Sequence, residues 1–198
     1  MISRQIVLAS TSPFRRALLE RFGFPFETAA PSVDETRLPD ESPEQTALRL
    51  SEKKARAVVS AYPQALIVGS DQIACFGEEI FGKPGTHENA TAQLRKMRGQ
   101  TVCFHTGLCL YDASKNTARL RNIPTLVTFR ALNDEEIESY LRKEQPYNCA
   151  GSAKSEALGI ALLSKIESAD PTALIGLPLI ALSEFLREAG INPLLGAL

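Results

Sequence analysis

The sequence predicts an α/β fold of mixed α+β type, and three observations predict it. Up to Gly69, short apolar runs alternate with stretches of helical periodicity, the order expected of strands joined by crossover helices. Around "DASKN", the runs 101–111 and 125–130 read instead as two arms of a hairpin, which a purely doubly wound sheet does not contain. Proline and glycine are scattered as turn signals, with no internal repeat and no low-complexity stretch. Residues 1–198 therefore read as a single domain, with charged loops gathered along one edge or cleft.

Taken in order, a strand is expected over 6–10 and a helix from Pro13 to about Phe22, closed by Gly23. Ser12 caps that helix, and Pro13 at its first position has no amide to leave unpaired. An extended stretch follows over 24–30. Ser42-Pro43-Glu44 repeats the device of cap, proline and first-turn acid, opening a long helix to about Ala61, before Pro63. A buried strand over 65–69 comes next. Thr86 caps a helix with Glu88 in its first turn, and Gly99 ends it. Asn133 with Glu136 forms a capping box for "DEEIESYLRKE". "ALGIALLSKI" reads as another strand, and a last helix runs from about Leu179 to Ala189, stopping at Gly190.

With 44% hydrophobic and 23% charged residues, a chain of 198 residues buries an adequate core without disulfides or structural metal. Its formal net charge of -1 provides no global basic field for nucleic acid and no acidic tail for a basic partner, so any positive site must be local. The opening "MISRQIVLAS" has one arginine and an apolar run too short for a signal peptide, and no run approaches the ~18 apolar residues of a membrane span. A cytoplasmic protein without a membrane partner is expected. Cys75, Cys103, Cys109 and Cys149 form no C-x-x-C pair, and His87 and His105 are not spaced with them for zinc, so reduced, mostly buried thiols are expected.

The densest chemistry lies in "LASTSPFRRALLERFG". Ser12-Pro13 starts a helix whose first-turn amides point at whatever precedes it, which is where anions bind. Arg15 and Arg16 fall in the same turn, where the macrodipole disfavours a cation by about 0.3–1 kcal/mol each, so a carboxylate elsewhere in the fold or a phosphate must offset them. "VGSDQ" places Asp71 just past an apolar strand, at a strand end, and Asp34 and Glu35 lie in the Pro-bounded segment "SVDETRLPDESP". Such carboxylates can hold a hard divalent cation or take a proton from water, or remain solvated loop charges. Lys53 and Lys54 on a helix read as solvation, whereas Lys83, fixed between Gly82 and Pro84 after Asp71, is the cation expected of a polyphosphate site. A Ser/His/Asp hydrolase is disfavoured: there is no G-x-S-x-G, and His105 in "VCFHTGL" has no adjacent nucleophile.

Ser10-Thr11-Ser12-Pro13-Phe14-Arg15-Arg16, Val33-Asp34-Glu35-Thr36, Lys54-Ala55, Gly69-Ser70-Asp71-Gln72, Gly82-Lys83-Pro84, His105-Thr106-Gly107 and Ala150-Gly151-Ser152, in that order along nearly the whole chain, resemble the Maf family of nucleotide pyrophosphatases. The resemblance implies an elongated mixed sheet with flanking helices and two lobes around a cleft, as in the related inosine-triphosphate pyrophosphatases. It implies hydrolysis of a nucleoside triphosphate to monophosphate and diphosphate with a divalent metal, Mg2+ or Mn2+. By position, Asp71 corresponds to the catalytic base and Glu35, with Asp71, to the metal-associated carboxylates. Ser10, Arg15, Lys54 and Lys83 correspond to the polyphosphate binders. A homodimer is also implied.

Phe14, Gln72 and Glu156 depart from the family's commoner arginine, threonine and glutamine, and with "CAGSAKSEALGI" they look like the branch acting on 7-methylguanosine triphosphate. Methylation at the guanine imidazole nitrogen makes the base cationic. An aromatic face such as Phe14 then gains roughly 0.5–2 kcal/mol of cation-π attraction, and Glu156 can accept from the guanine N–H edge while opposing the same positive charge. The rival expectations are a pyrophosphatase of dTTP, UTP or other nucleotides, and a non-catalytic nucleotide-binding regulator of cell division.

Overall fold

A computed structural model describes residues 4–77 and 79–195. In chain order the elements are β1 (Ile6–Ala9), α1 (Pro13–Glu20), β2 (Glu27–Ala29), α2 (Pro43–Ala57), β3 (Leu66–Phe76), β4 (Glu79–Phe81), α3 (His87–Met97), β5 (Thr101–Asp112), β6 (Thr117–Phe129), α4 (Asp134–Glu144), β7 (Leu163–Ser168) and α5 (Leu179–Glu188). The strands form one mixed sheet of order β2-β1-β3-β5-β6-β7, with β4 paired to β3. The fold class is therefore the mixed α/β class that the sequence predicts.

The chain separates into two compact units. The first comprises residues 4–71, 106–123 and 170–195, and the second comprises 72–105 and 124–169. In the first, β1 pairs in parallel with both β2 and β3, with Val7 opposite Glu27 on one side and Ile67 on the other. Alternation sorts the side chains: Ile6, Leu8, Leu66 and Val68 pack with Leu18, Leu19, Leu182 and Phe185 of α1 and α5, while Val7, Ala9 and Ile67 pack with Ala55 and Val58 beside α2. In the second unit, the side chain of His87 at the start of α3 meets the Tyr147 hydroxyl at 3.0 Å and Glu138 of α4 at 2.9 Å. β7 lies antiparallel to β6, with Val127 opposite Ile166.

The helix boundaries follow the capping chemistry. Ser12, Ser42, Thr86 and Asn133 all accept from the third amide of their helices, and both Ser42 and Asn133 complete capping boxes. Gly23, Gly99 and Gly190 take positive φ after α1, α3 and α5.

Three expectations are corrected. The strand expected to stop at Gly69 runs on to Phe76, so Asp71 lies inside β3 rather than at its end. The second hairpin arm starts at Thr117, not 125, because Asn116 takes the left-handed conformation and completes the turn at once. Pro124 lies inside β6, one residue beyond the ladder with β7, whose first pair is Thr125 with Ser168. "ALGIALLSKI" divides into a 3-10 turn over Leu158–Leu162 and β7, since the run lacks the alternation that would extend a strand through it.

Among the described residues, no helix is long and apolar enough to cross a membrane. None of the four cysteines is in a disulfide, Cys75 and Cys109 are buried, and burial pushes the Cys109 thiol up to about 12.

Candidate active site

The site in the first unit starts from a close approach of backbones. A Cβ on Gly69 would stand 2.1 Å from the Ser51 carbonyl oxygen of α2, and one on Gly107 would stand 2.3 Å from the Ala47 carbonyl. Glycine at both positions lets β3 and β5 lie directly against α2. Odd-numbered residues of β3 face that helix, so Asp71, two residues past Gly69, faces it too. Lys54 is one helical turn beyond Ser51, and its Nζ lies 2.5 Å from Asp71 Oδ1.

Lys54 is thus buried rather than solvated, at 6% exposure, and it has a second anionic partner: Glu35 Oε1 lies 2.7 Å from the same Nζ. Glu35 reaches inward from an ordered loop. The Asp34 side chain accepts from the Thr36 amide at 2.9 Å, and Lys53 Nζ donates to the Asp34 carbonyl at 2.8 Å. Arg49 of α2 donates to Glu41 from two nitrogens, at 2.5 and 2.8 Å, and to the Thr36 carbonyl at 3.1 Å. The Arg49 hydrogen bond lowers the Glu41 carboxyl to about 2.

Arg15 completes the cluster. Its Nε donates to the Gly176 carbonyl at 2.8 Å. Burial lowers its proton affinity, opposed by the negative charges of Asp71 and Glu35. Its terminal amino groups donate to no carboxylate among the described residues, where the guanidinium's one side-chain hydrogen bond is to the Gly176 carbonyl. Arg16 points elsewhere, pairing with Glu20 at 3.0 Å on an exposed face. Gly176 is held in turn by Ser70, whose Oγ lies 2.9 Å from the Gly176 carbonyl and 2.8 Å from that of Gly107. Ser10 is buried just past β1, and its hydroxyl accepts from the Ser12 amide at 3.1 Å, setting the entry of α1. Phe14 is half-buried in the first turn of α1.

The structure brings Ser10, Arg15, Glu35, Lys54 and Asp71 into the first unit, with Phe14 on the same helix as Arg15. Lys83, Gln72 and Glu156 belong to the second. Lys83 is exposed between β4 and α3, Gln72 follows Asp71 on β3 with its side chain on the opposite strand face, and Glu156 is exposed in the turn after α4.

Among the described residues, no three His, Cys, Asp or Glu side chains gather into a group suited to a metal ion. Asp71 and Glu35 nevertheless direct oxygens at one cationic atom, Lys54 Nζ. That donor set fits a hard divalent ion held by one or two carboxylates and completed by phosphate oxygens and water. Sequence reasoning missed Arg49 and Glu41, whose pairing orders the Glu35 loop. It also missed Asp170 and Thr172: the Asp170 side chain accepts from the Ile180 amide at 2.6 Å and Thr172 Oγ1 accepts from the Leu179 amide at 2.8 Å, fixing the start of α5. The "DPT" turn, six residues ahead of a helical run, carried that signal.

A family model described as Maf-like protein matches residues 5–189. A 7-methyl-GTP pyrophosphatase of Aromatoleum aromaticum is 58% identical over 187 residues, 94% of this chain and 96% of the relative. Proteins of the same name from Thiobacillus denitrificans and Ralstonia nicotianae are 56% and 57% identical, covering 97% and 92% of this chain and 96% and 94% of their own lengths. With the match extending over all the elements that build the Asp71 and Lys54 cluster, the chain belongs to the Maf family.

Proposed function

We propose that this protein is a nucleoside triphosphate pyrophosphatase that hydrolyses 7-methyl-GTP to 7-methyl-GMP and diphosphate, removing a modified nucleotide. The observation that carries the reading is the buried Asp71–Lys54 pair, with the exposed Glu35 on the same ammonium and Arg15 beside it, in a chain 56–58% identical to proteins named for that reaction. Arg15 and Lys54 supply fixed positive charge for the triphosphate, and Ser10 and the first turn of α1 supply hydrogen bonds. Lys83 is assigned as a further phosphate-binding cation. Asp71 takes the proton of a water whose oxygen bonds to the α-phosphorus as the α–β bridging bond breaks and diphosphate leaves.

Asp71 and Glu35 would hold the divalent ion, Mg2+ or Mn2+. When bound, the ion neutralises phosphate oxygens as charge shifts to the leaving group. Phe14, Gln72 and Glu156 are assigned to base selection, Phe14 by cation-π attraction and Glu156 by its negative charge. The reading also carries a cytoplasmic location, where nucleoside triphosphates are made and used, and a homodimer, which sedimentation equilibrium checks.

Diphosphate release from 7-methyl-GTP, GTP, dTTP and UTP with added magnesium or manganese tests the reading. The expected result is the highest kcat/KM on 7-methyl-GTP. Comparable values on the two guanine nucleotides would remove the base preference, and a preference for dTTP or UTP would move the protein to another branch. Asp71→Asn keeps size and hydrogen bonding but not basicity, so turnover is expected to fall on the order of a hundredfold or more with binding retained. Full activity in that variant would exclude Asp71 as the base.

A further inference from the structure

Glu144 is the last residue of α4, where the helix macrodipole disfavours an anion. Both of its oxygens are nonetheless committed to one later turn. Oε1 lies 2.7 Å from Lys154 Nζ, and Oε2 accepts from the Leu158 amide at 3.1 Å. The Lys154 amide donates to the Tyr140 hydroxyl of the same helix at 3.1 Å, and the Ala157 amide closes the turn on the Lys154 carbonyl at 3.1 Å. Gly159 permits this closure, since a Cβ there would stand 2.5 Å from the Lys154 carbonyl oxygen. The segment 154–158 is therefore tied to α4 at both ends, and Glu156 lies exposed between the ties.

The charges follow the same arrangement. Lys154 and Glu144 are mostly buried, with side-chain exposures of 27% and 13%. The Glu144 hydrogen bond raises the proton affinity of Lys154 ahead of every other influence, and the field of Glu156 acts on the same ammonium more weakly. Glu156 accepts no hydrogen bond from any described side chain, although a lysine stands two residues away.

We infer that Glu144 is a positioning residue for base selection. It fixes the 154–158 turn and keeps the Lys154 ammonium engaged, which leaves the Glu156 carboxylate for a cationic methylated guanine. The inference rests on the role proposed above for Glu156. Without Glu144, the Lys154 ammonium loses the carboxylate that holds it away from Glu156 and the turn loses its anchor at Leu158, so the methylated base loses its electrostatic advantage over the neutral one.

The test compares the ratio of kcat/KM for 7-methyl-GTP to that for GTP in wild type, E144Q, E156Q and E144Q/E156Q, with circular dichroism melts reporting folding. E144Q is expected to lower the ratio by about fivefold to tenfold, mainly through a higher KM for 7-methyl-GTP, with kcat on GTP within about twofold of wild type. Adding E144Q to E156Q is expected to change the ratio no further, and E144Q/K154M to recover part of the loss, because the ammonium that Glu144 had held is gone. An unchanged ratio in E144Q, or an equal loss on both nucleotides, overturns the inference. If E156Q keeps the wild-type ratio while diphosphate is still released, the base-reading role and the inference both fall but the pyrophosphatase reading stands. If wild type releases no diphosphate, that reading falls, and calorimetric affinities for the same two nucleotides decide the inference by the same ratio.

Discussion

A methyl group on Gly69 would meet the Ser51 carbonyl oxygen at 2.1 Å, and Asp71 lies only two residues further along the same strand face. Gly69→Ala must therefore push β3 and α2 apart, costing about 1–3 kcal/mol as other overpacked sites do. The same displacement lengthens the 2.5 Å contact between Lys54 and Asp71. The expected outcome is a lower urea midpoint together with a loss of turnover larger than the unfolded fraction explains. Full activity in the folded population would show that this backbone approach does not set the site. Asp71 was legible in the sequence because an apolar run leads directly to it. Lys54 entered only through the family resemblance: by its residues alone a lysine among helical charges reads as solvated, and the packing of α2 on β3 turns its side chain inward.

Elements hold this cluster through pairings distant in the sequence. Glu41 of the loop and Arg49 of α2 join the segment carrying Glu35 to the helix carrying Lys54, and the Arg49 hydrogen bond keeps the Glu41 carboxyl at about 2, below its ordinary 4.5. A carboxyl depressed in the folded state stabilises fully above its unfolded value and ceases to do so as pH falls through the folded value. The stabilisation from Glu41 is thus complete above about 4.5 and is lost between there and about 2. Urea midpoints of wild type and Glu41→Gln are expected to differ at pH 6 and to converge as pH falls through that window; a constant gap would assign the difference to something other than this ion pair. Helix starts were legible because Ser12, Ser42, Thr86 and Asn133 act within one turn. The extents of β3 and β6 were not, because polar residues of a strand such as Ser70 and Asp71 are kept in place by partners far along the chain, Gly176 and Lys54.

For the molecule as a whole, a formal net charge of -1 means that attraction of a triphosphate depends on a few placed cations and not on a general field. That local character makes ligand binding visible as stability. Any ligand that binds only the folded chain stabilises it by mass action, by about 2.7 kcal/mol when present at a hundred times its dissociation constant. For a chain of this size that corresponds to a rise in Tm of roughly 5–11 °C. Asp71→Asn, which binds without turning substrate over, allows the measurement at equilibrium. With magnesium, its Tm is expected to rise more with 7-methyl-GTP than with the same concentration of GTP, and chelation of the ion is expected to reduce both shifts, because the phosphate oxygens then face Glu35 without a cation between them. Replacing Arg15 by Gln removes a guanidinium that, among the described residues, makes no hydrogen bond to a carboxylate, and should reduce the shift for both nucleotides alike, since a phosphate contact is blind to the base. Equal shifts for methylated and unmethylated nucleotide would remove the base preference while leaving triphosphate binding intact, and an undiminished shift in the Arg15→Gln variant would place the phosphates away from α1.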